Sequence, residues 1–297
     1  MRPNDVMPTL EAISAPRLSN YISYFGSSDP HDLYACYQWN NEVSTSFLPI
    51  LHLIEIALRN AYHRELSLHF SLINTGTPSQ SYDWYQYANL NAKSRQAIVD
   101  IQRRAHRPDD VISRLTFGFW SNLTDTPRIP WGVVLKKVFP GVTRNLANRP
   151  QQDWLYSRIK MVNDFRNRVS HWEPIWKLGE LMPERRHRRG DPALVPTHPA
   201  TCNPAESVAR LQMLYSRMTS LLTNINSDIG STYIDSYTHE HLDWICSEAG
   251  LQSFRRSNKR VVMSISKAKR ELNRITRLKN IVTISNSKGI RARIHPL

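Results

Sequence analysis

Glycine is scarce in this chain of 297 residues, with ten in all, while 40% of the residues are hydrophobic. That balance suits a globular, helix-rich protein with a sizeable core, in one large or two small domains. Cysteine is scarcer still. Cys36, Cys202 and Cys246 are odd in number, lie far apart and form no Cys-x-x-Cys pair, which argues against a disulfide framework and a zinc site. Each is read as a small core or surface residue. No run of 18 apolar residues exists, and the opening Met1-Arg2-Pro3-Asn4-Asp5-Val6-Met7 lacks the apolar centre of a signal peptide. A soluble, cytoplasmic protein with no membrane partner is expected. Internal repeats are not apparent.

Acidic residues are missing from one region above all. Residues 251–297 hold thirteen Lys or Arg, including Arg255, Arg256, Lys259, Arg260, Lys267, Lys269 and Arg270, against Glu271 alone. This stretch therefore carries +12 of a net +14, and the first 250 residues are nearly neutral. So one-sided a block repels itself unless a polyanion is near, which makes nucleic acid the first partner to consider and a solvated tail the alternative.

Apolar periodicity predicts helices at about 18–25, 32–69 with a bend near Asn40-Asn41, 91–104, 108–123, 130–138, 151–172 and 205–224. Tyr82, Trp84, Tyr85 and Tyr87 are read as packing under a loop, with base stacking as the alternative. Residues 182–204 hold five prolines and the run Arg185, Arg186, His187, Arg188, Arg189, which reads as an exposed basic loop able to hold RNA. His239, Glu240, His241 and Asp243 look like a metal cluster only superficially, because side chains two apart on a helix point apart. In the tail, a basic helix is expected over 266–279 and extended structure over 281–294.

The helix over 151–172 carries the chemistry. Leu155, Ile159, Val162, Phe165, Val169 and Trp172 recur every three or four residues as one buried stripe, and Pro174 stops the helix. His171 then lies in the last turn, where free carbonyls and the negative end of the macrodipole favour its imidazolium form. Arg166 precedes it by five residues, about 140° around the helix, so both reach one phosphate only if the turn deforms or a second subunit closes the site. The same spacing recurs at Arg64 and His69 and is read there as coincidence on a helix surface. A bland reading has His171 cap carbonyls and Arg166 pair with an acidic neighbour.

The block Arg166-Asn167-Arg168-Val169-Ser170-His171-Trp172-Glu173-Pro174 resembles the Arg-Asn-x-x-x-His motif of HEPN-superfamily ribonucleases, in the form seen in abortive-infection (Abi-like) proteins, where Glu-Pro closely follows the histidine. Leu53-Ile54-Glu55-Ile56-Ala57-Leu58-Arg59-Asn60-Ala61 resembles that family's early helix, and Leu115-Thr116-Phe117-Gly118-Phe119-Trp120 its middle one. The resemblance covers residues 30–180. It implies an all-α, HEPN-like helical bundle with a basic C-terminal extension: a catalytic region over 1–181, a basic Pro-rich loop over 182–204, helices completing the bundle over 205–250 and an RNA-binding tail over 251–297.

It further implies a toxin-type or phage-defence endoribonuclease that needs no metal and no cofactor and works as a homodimer. The ribose 2′-hydroxyl would attack the adjacent phosphorus, with His171 moving the proton, Arg166 stabilising phosphoryl charge and Asn167 orienting the phosphate or His171. Glu55, Arg59 and His63, four apart on the early helix, are read either as a salt-bridged surface or, because the matching helix packs against the catalytic one in HEPN folds, as support for the site. The alternative is a non-catalytic protein that binds a small structured, antitoxin-like RNA.

Overall fold

The structure, a computed structural model, describes residues 5–188, 190–256, 262–278, 282–289 and 291–294. Its axis is one helix. After α1 (Met7–Ile13) and α2 (Ala15–Phe25), α3 runs over Pro30–Thr75, 46 residues and about 69 Å. Its start is encoded locally: the Asp29 carboxylate accepts the Asp32 amide hydrogen at 2.8 Å, and Pro30 fits the first turn, where no amide bond is needed. Gly76, at φ 74°, provides the left-handed residue that ends it.

The helix is unbroken through Asn40-Asn41, and α3 is longer than predicted at both ends. Asn40 is buried because its Oδ1 accepts the backbone N–H of Ile175 at 3.0 Å, so a residue that reads as a helix breaker serves as a receptor for a distant segment.

Two 3-10 turns and α4 (Ala92–Gln102), α5 (Pro108–Ser113), α6 (Phe117–Ser121) and α7 (Trp131–Val138) follow. The single helix expected over 108–123 is thus broken in two. Thr116 takes an extended conformation between α5 and α6, which lets Leu115 and Phe117 both reach the core. Next come α8 (Arg149–Ser170), α9 (Pro204–Ile225), α10 (Ser227–Ile234), α11 (Tyr237–Ile245) and α12 (Glu248–Arg256). Helices α2, α7, α8, α9, α11 and α12 all pack against α3. Gly141 lets the chain before α8 approach α9 closely: a Cβ there would lie 2.9 Å from the Cα of Asn224.

The tail folds into a unit of its own. β1 (Val262–Ser264) pairs parallel with β2 (Val282–Ser285), which pairs antiparallel with β3 (Arg291–Ile294). Between β1 and β2 lie α13 (Ile265–Arg270) and α14 (Leu272–Leu278). Met263, Ala268, Ile275 and Val282 form a second small core, separate from the main one. The predicted basic helix is therefore split at Glu271, and the extended stretch is a hairpin of β2 and β3. The chain is mostly helical, 66% helix against 4% strand, as composition led one to expect.

Candidate functional site

Five of the six stripe residues of α8, Leu155, Ile159, Val162, Phe165 and Val169, are buried, with the Phe165 ring edge-on to Phe47 of α3 at 4.6 Å between centroids. The sixth is not. Trp172 is 50% exposed, because the chain leaves the helix one residue earlier: His171 is the C-cap, and Trp172 adopts φ 54°. The Trp172 N–H bonds Val169 O at 3.1 Å and the Glu173 N–H bonds Arg168 O at 3.0 Å, a Schellman turn with tryptophan where glycine usually sits. Turning into the left-handed region swings the indole off the stripe.

This turn is fastened by an arginine that sequence reasoning passed over. Arg168 donates to the Glu173 carboxylate at 3.1 Å, to Pro174 O at 2.7 Å and to Lys177 O at 2.9 Å. Its signal was available: a cation in the last turn of a helix can take up free carbonyls beyond it. Arg17 of α2 donates to Trp172 O, and Trp176 packs among Tyr21, Tyr24 and Phe25. The segment after His171 is therefore held from three sides.

Arg166, half-buried, approaches Glu55 of α3 with Nε 3.8 Å from Oε2. That contact is an ion pair beyond hydrogen-bond length, so it takes up none of the guanidinium N–H groups. Asn167 is exposed, and its carbonyl accepts the His171 N–H at 3.0 Å. The His171 side chain is exposed and has no hydrogen-bond or ion-pair partner among the described residues, so the imidazole does not cap the helix. A recess of about 410 Å³ lies elsewhere, lined by Asp100, Ile101, Arg103, Arg104 and Arg114.

The supporting row on α3 disperses. Only Glu55 meets Arg166. Arg59 donates to Asn60 Oδ1 at 3.2 Å and to Ser113 O at 3.4 Å. His63 is buried between Trp84, whose indole N–H donates to Nδ1 at 3.0 Å, and Asp109, 3.2 Å from Nε2. Burial, outweighing the pull of Asp109, holds its pKa below the usual imidazole value. Trp84 and Tyr85 are buried, as the packing reading has it, whereas Tyr82 and Tyr87 stack on each other. At the second Arg-His spacing Arg64 pairs with Glu65 at 2.8 Å, and burial and Lys137 depress the His69 pKa.

The basic loop is corrected in part. Arg185 is exposed, but Arg186 lies over the Tyr156 ring at 3.9 Å and Arg188 pairs with Asp153 of α8 at 2.6 Å. Glu184 ties the loop down further, meeting Arg158, Arg217 at 3.3 Å and the Trp154 N–H at 3.1 Å. Leu181 and His198 close its base by an antiparallel bridge. Arg255 is also corrected: it grips Asp32 with both carboxylate oxygens, at 2.9 and 2.7 Å, and is a strut between α12 and α3. Arg256, Lys267, Lys269 and Arg270 are exposed, while Arg189, Lys259 and Arg260 lie outside the described residues. His239 bonds Tyr215 and His241 bonds Glu42, so the two histidines face different elements.

No protein-family model matches the chain, and the searches of curated proteins and of solved structures find no similar protein.

Proposed function

We propose that the chain is a HEPN-type, Abi-like endoribonuclease of a toxin or phage-defence system that cleaves RNA without a metal, with the basic C-terminal unit holding the RNA. The observation that carries the reading is the end of α8: an arginine beside Glu55 and, five residues on, a histidine with an unoccupied imidazole at a fastened turn. A 2′-hydroxyl attacks phosphorus, the P–O5′ bond breaks, and a 2′,3′-cyclic phosphate and a 5′-hydroxyl result. His171 takes the proton from the 2′-oxygen or delivers one to the 5′-oxygen, Arg166 meets the charge growing on the phosphoryl oxygens, and Asn167 orients the phosphate. A second copy about a two-fold axis supplies the other histidine, which the open surface around this one favours.

The test is incubation of the purified protein with labelled RNA in EDTA, beside His171→Ala. Cleavage by the wild type, falling about 100- to 10,000-fold in the variant, is expected. Cleavage that survives the substitution, or none in the wild type, refutes the assignment. RNA that copurifies and is bound but never cut marks the protein as the non-catalytic binder of a small structured RNA.

A further inference from the structure

The indole of Trp172 is the feature of this turn that folding does not account for. It is 50% exposed, beside His171, and makes no aromatic, cation–π or hydrogen-bonded contact of its side chain among the described residues. Its backbone, at φ 54°, is in a region that a bulky residue rarely adopts and that glycine adopts without strain. A turn that needed only to end α8 would be better served by glycine.

The backbone beneath it, by contrast, is tethered. Arg17 holds the Trp172 carbonyl, and Arg168 holds three acceptors on the residues that follow, Glu173, Pro174 and Lys177. The carboxylate of Glu173, next in the chain, pairs with Arg168 through Oε2 at 3.1 Å, which offsets part of its charge beside a phosphate. A large flat apolar face is thus carried by a tethered backbone one residue from the imidazole, with exposed polar residues on either side of it in the chain.

Resting on the ribonuclease reading, we propose that Trp172 is a stacking platform for an unpaired base next to the phosphate held by Arg166 and His171. The substrate is then RNA with an unstacked base at the cut: a single strand, a loop or a bulge. A base inside a duplex keeps both faces against its neighbours and has none to offer, whereas every unpaired base presents an aromatic face. His171, the polar neighbour on one side, favours a nucleotide over the apolar surface of a protein partner.

The experiment uses a fluorescein-labelled 2′-O-methyl oligonucleotide of mixed sequence, which cannot be cut because its 2′-oxygen is blocked, and the same strand annealed to its complement. Trp172→Ala is expected to raise Kd for the single strand about tenfold. Trp172→Phe should recover much of that loss, and neither substitution should change the affinity for the duplex. Trp172→Gly separates contact from folding: it should bind as poorly as the alanine variant while melting at a higher temperature than wild type, because glycine relieves the turn.

Unchanged single-strand affinity in Trp172→Ala overturns the proposal, as does an equal loss for single strand and duplex. A change of oligomeric state in light scattering, with single-strand affinity unaltered, overturns it in favour of an interface between proteins. Cleavage of an unmodified strand is followed separately. Wild-type cleavage with the same KM in Trp172→Ala refutes stacking and leaves the nuclease standing. No cleavage, with the Trp172-dependent binding intact, does the reverse.

Discussion

A histidine nitrogen that accepts a hydrogen bond from an indole cannot carry a proton at the same time, and this decides the state of His63. With Trp84 donating to Nδ1, the proton sits on Nε2 and faces Asp109, and burial keeps the ring neutral. Its folded pKa is therefore depressed below 6.5, while the unfolded chain takes up a proton near that value. Above pH 6.5 neither state gains a proton and the stability is fully present; below it the unfolded state binds one first, and stability falls as pH drops toward the folded pKa. Urea titrations at pH 7.5 and 5.5 should show a loss of stability in the wild type that is smaller in His63→Gln. An identical loss in both would assign the pH dependence to other groups. Arg166 and Arg168 make the complementary point at this scale. Two residues apart, one is left partly free toward solvent and the other is spent on three acceptors.

Among the elements, α3 organises the rest, and the pairing of Arg255 with Asp32 shows how. The guanidinium clamps the first turn of α3, where a carboxylate already suits the positive end of the helix. Arg255 in turn holds the Asp32 carboxyl below its ordinary pKa. Both side chains are largely shielded, so Arg255→Ala leaves a carboxylate without its partner and should cost about 2 kcal/mol in urea unfolding. RNA affinity per folded molecule should not change. Arg255→Ala that unfolds like wild type but binds RNA weakly would return Arg255 to the binding surface.

For the molecule as a whole, charge and core divide along the same line. The main core ends with Leu251 of α12, and the small core of Met263, Ala268, Ile275 and Val282 carries exposed Lys267, Lys269, Arg270 and Arg277 on its helices. Neutralising these four should weaken RNA binding broadly and reduce the slope of log affinity against log salt by about 3. His171→Ala should leave that slope unchanged, since its role lies in proton transfer rather than in counterion release. Titrations at several salt concentrations measure both. An unaltered slope in the four-site variant would move the RNA contact to Arg185 or to the bundle.

Local spacing by itself determined most of the helices: the α8 stripe, the α9 face through Val208, Leu211, Leu214, Met218 and Leu221, and the α7 limits after Pro130 all follow from neighbours within a turn or two. The place of Arg166, Asn167 and His171 at the end of α8 was legible for the same reason. What became of each cation was not. Arg255 is used up by a carboxylate 223 positions away and Arg188 by one 35 positions away, and Asn40 accepts the backbone N–H of Ile175, 135 residues on. Trp172 left its stripe through a single left-handed residue that the periodicity does not register. Helical periodicity is a property of neighbours in the chain, so the sequence alone could establish it. Which charges stay free depends on partners that only folding brings within a few ångströms, and that the tertiary structure decided.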